Sequence, residues 1–112
     1  MRFKDHLDGQ VAVFELSGKI MGGNDATMFH GRVNEYVSIN KNNIVIDLAG
    51  VQWSNSRGLG MLIGALKTVQ NSGGRLALCN IERIQSLLVV SRMAMFFEHF
   101  ETRDDALRSL NG

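Results

Sequence analysis

Proline is absent from this chain, and cysteine, tryptophan and tyrosine occur once each. With neither proline nor a low-complexity tract, no linker divides the sequence, and its 112 residues sit near the common size of one domain. A lone cysteine, Cys79, cannot close an internal disulfide, which suits a reducing compartment. No apolar run approaches the roughly 18 residues that a membrane helix needs. The opening Met-Arg-Phe-Lys-Asp-His has no apolar signal-peptide segment. Neither sign of charge is in excess: 12 Lys and Arg stand against 11 Asp and Glu, scattered, so no basic stripe argues for nucleic acid. The expectation is one soluble cytoplasmic domain over residues 1–112, with neither nucleic acid nor membrane as a partner.

What is present is an alternation of apolar runs with helical periodicity. Residues 3–7 and 11–16 are strand candidates joined by Asp8-Gly9-Gln10, and Asp-Gly between apolar runs is a hairpin signal. Residues 17–25 are rich in turn formers and are expected as a loop, with Asn24 or Asp25 capping a helix over about 25–38. Phe29, Val33, Tyr36 and Val37 share one face of that helix. Ile44, Val45, Ile46 and Leu48 form a short apolar run, the pattern of a strand buried on both faces. A helix over 57–71 follows, stopped at Ser72-Gly73-Gly74. A strand over 75–78 leads to a helix over 82–90 with Ile84, Leu87 and Leu88 inward. Residues 97–100 are a last short strand. Thr102, with Asp105 three residues on, resembles a capping box opening a final helix whose apolar face is Ala106, Leu107 and Leu110. Strands alternating with helices predict an α/β fold: a single, mostly parallel sheet of about five strands, an antiparallel edge hairpin strand and about four helices.

The centre of the chain is the join at Ser54-Asn55-Ser56, where the strand feeds the 57–71 helix. Ser56 is expected at the N-cap, its oxygen accepting a free backbone N–H, while Gly58 and Gly60 let the turn pack against the sheet. Gly58-Leu59-Gly60 fails the dinucleotide-binding spacing, because Ile63 stands where the third glycine belongs. A nucleophile elbow fails too, since Ser54 occupies the first glycine position of G-x-S-x-G. His6, His30 and His99 have no metal-ligand spacing. Cys79 is expected in the core, as are most of Met93, Met95, Phe96 and Phe97. Trp53 either plugs the sheet end, the preferred reading, or is an exposed contact residue.

A capping serine that is also exposed has a further use. Phosphorylation adds about −1.5 to −2 charge at the positive end of a helix dipole, which the helix tolerates while its surface changes sign. A docked partner would then meet a dianion in its interface.

These residues resemble the STAS domain of bacterial anti-sigma factor antagonists. The likeness rests on Ile46-Asp47-Leu48 and on Val51-Gln52-Trp53-Ser54-Asn55-Ser56-Arg57-Gly58-Leu59-Gly60. It extends to Leu16-Ser17-Gly18-Lys19-Ile20, Gly73-Gly74-Arg75-Leu76 and Asp105-Ala106-Leu107. The resemblance implies a partner-switching protein with no catalytic residues and no cofactor of its own. Unphosphorylated, it would bind an anti-sigma factor that is also a serine kinase; phosphorylated on Ser56, it would be released, and a phosphatase would restore it. Asn55, Arg57, Trp53 and the loop of Gly22, Gly23, Asn24 and Asp25 would form the docking rim. Asn55 replaces the family's usual acid, Arg57 its second Ser/Thr, and Ser54 stands where a bulky apolar residue is common. Two further readings stay open: a STAS scaffold or sensor module that is never phosphorylated, and a small nucleotide- or lipid-binding protein using the glycine corner.

Overall fold

A computed structural model describes all 112 residues. The chain runs β1 (Arg2–Asp8), β2 (Val11–Ile20), α1 (Asn24–Ser38), β3 (Asn43–Ser54), α2 (Ser56–Asn71), β4 (Leu76–Cys79), α3 (Gln85–Val90), a 3-10 turn (Ala94–Phe96), β5 (Glu98–Phe100) and α4 (Arg103–Asn111). One five-stranded sheet holds the strands in sequence order. β1 pairs antiparallel with β2, and every other pair is parallel. The predicted α/β architecture and its antiparallel edge are those observed.

The apolar runs are continuous because both faces of the sheet are covered. Ala12, Phe14 and Leu16 of β2, Ile44, Ile46 and Leu48 of β3, and Leu76 and Leu78 of β4 point into the larger core under α1, α2 and α3. The alternating residues Val11, Val13, Val45, Ala77 and Cys79 point the other way, where Ala106, Leu107 and Leu110 of α4 cover them. Thr102 does cap α4, its Oγ1 accepting the Asp105 N–H at 3.1 Å. Phe14 anchors the larger core edge-on to Phe29 and Tyr36, with ring centroids 5.2 and 5.6 Å apart.

Two strands are longer than the hydrophobic pattern indicates. β2 continues through Ser17, Gly18 and Lys19 to Ile20, and β3 through Ala49 and Gly50 to Ser54. These extensions pair with each other across two register shifts. Gly50 makes the first shift possible, since a Cβ there would lie 3.0 Å from the Leu16 carbonyl oxygen. Predicted as a loop, residues 17–20 are instead the strand that carries the end of the sheet out to the Ser54 corner. α1 begins at Asn24, with Gly23 as its cap residue and no side-chain cap; Asn24 and Asp25 lie inside the first turn. α3 is shorter than predicted and starts after Ile84.

Candidate functional site

The end of β3 and the start of α2 meet at Asn55, and the capping chemistry there differs from the expectation. Asn55 is the N-cap residue: its backbone is extended, and its Oδ1 accepts the Gly58 N–H at 2.9 Å. Ser56 is therefore not the cap but the first residue of α2. With the orphan N–H satisfied by its neighbour, the Ser56 hydroxyl is exposed and makes no hydrogen bond within the chain. Sequence reasoning placed the cap one residue late because serine and asparagine both serve well there. Only the turn geometry separates them.

Gly58 holds the corner against the sheet. A Cβ on it would fall 2.2 Å from the Ile20 carbonyl oxygen and 2.4 Å from Ser54 Oγ. The glycine thus faces β2 and the buried Ser54, whose hydroxyl donates to the Asn55 carbonyl at 3.1 Å. Gly60 has no such duty: nothing lies within 4 Å of the position its Cβ would take.

The expected rim residues are partly gathered here. Gly22 has a positive φ, and its absent Cβ would stand 3.3 Å from Arg57 Cβ, so the loop after β2 lies directly beside the first turn of α2. Arg57 is exposed and forms no ion pair. Gly23 and Asn24 are exposed as well, but the Asp25 carboxylate is occupied by the Met1 ammonium at 3.0 Å. Trp53 does not plug the sheet end. It is 47% exposed on the last part of β3, opposite Lys19 of β2. An exposed Met21 adjoins Gly22 in the chain.

Residues 93–97, expected mostly as core, are only partly buried. Phe97 is buried, but Met95 and Phe96 are exposed, as are Val89 and Val90 of α3. The apolar pattern there is not a helix periodicity, because a 3-10 turn interrupts it.

Asp47, the acid near the middle of β3, is buried opposite Glu15 of β2, and both its oxygens are bonded. Its Oδ1 accepts the Ala49 N–H at 3.0 Å and the Asn80 amide at 2.9 Å, and its Oδ2 accepts Arg103 Nε at 2.9 Å. Arg103 also meets Glu15. Burial pushes this carboxyl upward, but the hydrogen bonds from Asn80, Ala49 and Arg103 outweigh it and hold the group below the usual carboxylate range. Its work is structural: it ties β3 to β4 and to the start of α4. Nothing in the sequence linked it to Arg103, which lies 56 residues on. Cys79 is buried, and burial together with the nearby Asp47 charge pushes its thiol up to about 12, far from a reactive thiolate. No group of three or more His, Cys, Asp or Glu is placed to hold a metal ion. No helix is long and apolar enough to cross a membrane.

The STAS domain family matches residues 4–106. The chain belongs to the STAS domain family. Comparison with curated proteins finds no match. Among solved structures it is similar to TM1081 of Thermotoga maritima, a candidate anti-sigma factor antagonist, at 21% identity and a TM-score of 0.86, over 98% of this chain and 95% of that one. It is similar to the unphosphorylated anti-sigma factor antagonist SpoIIAA of Bacillus at 15% identity and a TM-score of 0.78, over 99% of both chains. An anti-sigma factor antagonist of Mycobacterium paratuberculosis matches at 20% identity and a TM-score of 0.80, over 99% of this chain and 94% of that one. At these identities the STAS domain shares their fold.

Proposed function

We propose that this STAS domain is an anti-sigma factor antagonist that works by partner switching, with Ser56 as its phosphoacceptor. The single observation that carries the reading is the division of labour at the corner. Asn55 caps α2, so the Ser56 hydroxyl is exposed and unbonded at the positive end of a 16-residue helix. A phosphate added there meets the helix dipole and the unpaired Arg57, so the fold tolerates a charge that a docked partner does not.

The unphosphorylated chain binds an anti-sigma factor that is also a serine kinase, through Trp53, Arg57 and the Gly22–Asn24 turn around Ser56. Phosphorylation places a dianion in that contact and releases the partner, and a phosphatase resets the chain. ATP and Mg²⁺ belong to the kinase. The replacement of the family's usual acid by Asn55 is compatible with this reading, since the amide oxygen supplies the cap that a carboxylate would.

The test is capture of the anti-sigma factor from the native cell by the tagged chain. Ser56→Ala retains the partner and Ser56→Asp loses it, with circular dichroism unchanged in both. Equal capture by both variants overturns the switching role. It would favour a STAS scaffold that is never phosphorylated, the reading to which Asn55 and Arg57 otherwise point.

A further inference from the structure

We propose that β1 is a self-association surface: two copies of the chain pair antiparallel, β1 against β1, about a twofold axis at Asp5, joining their sheets into one. This surface lies on a different edge of the molecule from the Ser56 corner and does not depend on the function assigned to it.

The sheet ends on β1 at one side and on β5 at the other, and β1 has seven residues where β5 has three. A long, uncovered edge strand is a template for another strand. The hairpin turn at Gly9 and Gln10 closes on the pair Asp8 and Val11. Hydrogen-bonded and non-bonded pairs alternate from there, so residues 8, 6, 4 and 2 direct their main-chain groups to β2. Those of Phe3, Asp5 and Leu7 point away from the sheet, and none of them is used by a turn, loop or side chain. Arg2, Lys4, His6, Leu7 and Asp8 are all exposed.

The second observation is that a register centred on Asp5 pairs the whole strand with its own copy. Centred on Asp5, the antiparallel pairing lets Phe3 and Leu7 of the second copy exchange main-chain hydrogen bonds, as do the two Asp5 residues. Arg2 then stands opposite Asp8 of the second copy, twice by symmetry, and Lys4 opposite His6. Leu7, 44% exposed, and Ile39, 59% exposed, border the groove between β1 and α1 and would be covered by the second copy. Moving the centre by one residue sets Lys4 against Lys4, or His6 against His6, and leaves strand ends unpaired. Such a shift keeps outward residues opposite outward residues, so the opposed like charges at the axis and the unpaired strand ends are what disfavour it.

The like charges at the axis are already answered within each chain. Asp5 accepts Arg32 Nε through both carboxylate oxygens, at 3.0 and 3.1 Å, and the Tyr36 hydroxyl at 2.6 Å. Its carboxylate is thus turned onto α1 and neutralised there before a second copy approaches.

Sedimentation velocity of the full chain over a wide concentration range tests this. The expected result is a weight-average mass that rises from one chain to two. Arg2→Asp and Asp8→Arg, each setting like charges opposite, raise the dissociation constant roughly tenfold or more, and the double variant restores it. Leu7→Pro removes an outward N–H without touching the hairpin ladder and abolishes the dimer. Circular dichroism checks that each variant is folded; if Leu7→Pro is not, the charge exchange decides alone. A wild-type chain that stays monomeric at every concentration, or a dimer indifferent to the folded variants, overturns the proposal.

Discussion

Asn55 Oδ1 lies 2.9 Å from the backbone nitrogen of Gly58 and accepts its hydrogen, which makes the residue before Ser56, and not Ser56 itself, the cap of α2. Stability should follow that assignment. Asn55→Ala loses about 1 kcal/mol in urea unfolding, while Asn55→Asp stays within a few tenths of wild type, and Ser56→Ala changes stability by less than about 0.5 kcal/mol. A larger loss at Ser56 than at Asn55 would return the cap to the serine and occupy its hydroxyl.

The glycines of α2 should part company. Gly58→Ala drives a methyl into the Ile20 carbonyl oxygen at 2.2 Å, a backbone atom that cannot yield cheaply, and destabilises by about 3 kcal/mol. Gly60→Ala meets nothing within 4 Å on an exposed helical position and stabilises by up to about 1 kcal/mol. Thermal unfolding of the two variants side by side checks the opposite signs.

Asp47 should govern the acid limb of the stability profile. Its carboxyl is held below the ordinary value of 3.8 in the folded chain. The contribution is therefore complete above that value and is lost as pH falls through the lower, folded one. Asp47→Asn costs about 2 kcal/mol at neutral pH, because Arg103 is left with Glu15 alone. The difference from wild type narrows in strong acid. A gap that is constant with pH, measured by denaturant unfolding, would contradict this.

Much of the architecture was legible in the sequence, because strands buried on both faces leave continuous apolar runs and α4 shows its stripe at Ala106, Leu107 and Leu110. The strand extensions were not. Ser17-Gly18 reads as turn formers and the apolar run of β3 stops at Leu48, and only the mutual pairing of the two extensions across bulges makes them sheet. The Ser56 corner was found from its motif, yet its cap was assigned to the wrong member of two adjacent good cappers. The exposure of Trp53, Met95 and Phe96 was illegible for another reason. Aromatic and methionine residues are more often core, and their surface placement depends on where β3 ends and where a 3-10 turn breaks the helix period.

Trp53 is the chain's one tryptophan and is 47% exposed, so its fluorescence reports directly on the proposed docking rim. Adding the anti-sigma factor should blue-shift its emission as the indole is covered, and the phosphorylated chain should show no shift. Binding of the partner without any change at Trp53 would move the docking surface elsewhere.

Partner switching at this corner requires that the Ser56 hydroxyl receive a phosphate. Mass spectrometry of the chain purified from its native cell decides it, on the tryptic peptide that ends at Arg57 and carries both Ser54 and Ser56. The prediction is a phosphate on the exposed Ser56, none on the buried Ser54, and its disappearance in Ser56→Ala. A peptide that is never modified, or one modified at Ser54, would contradict it.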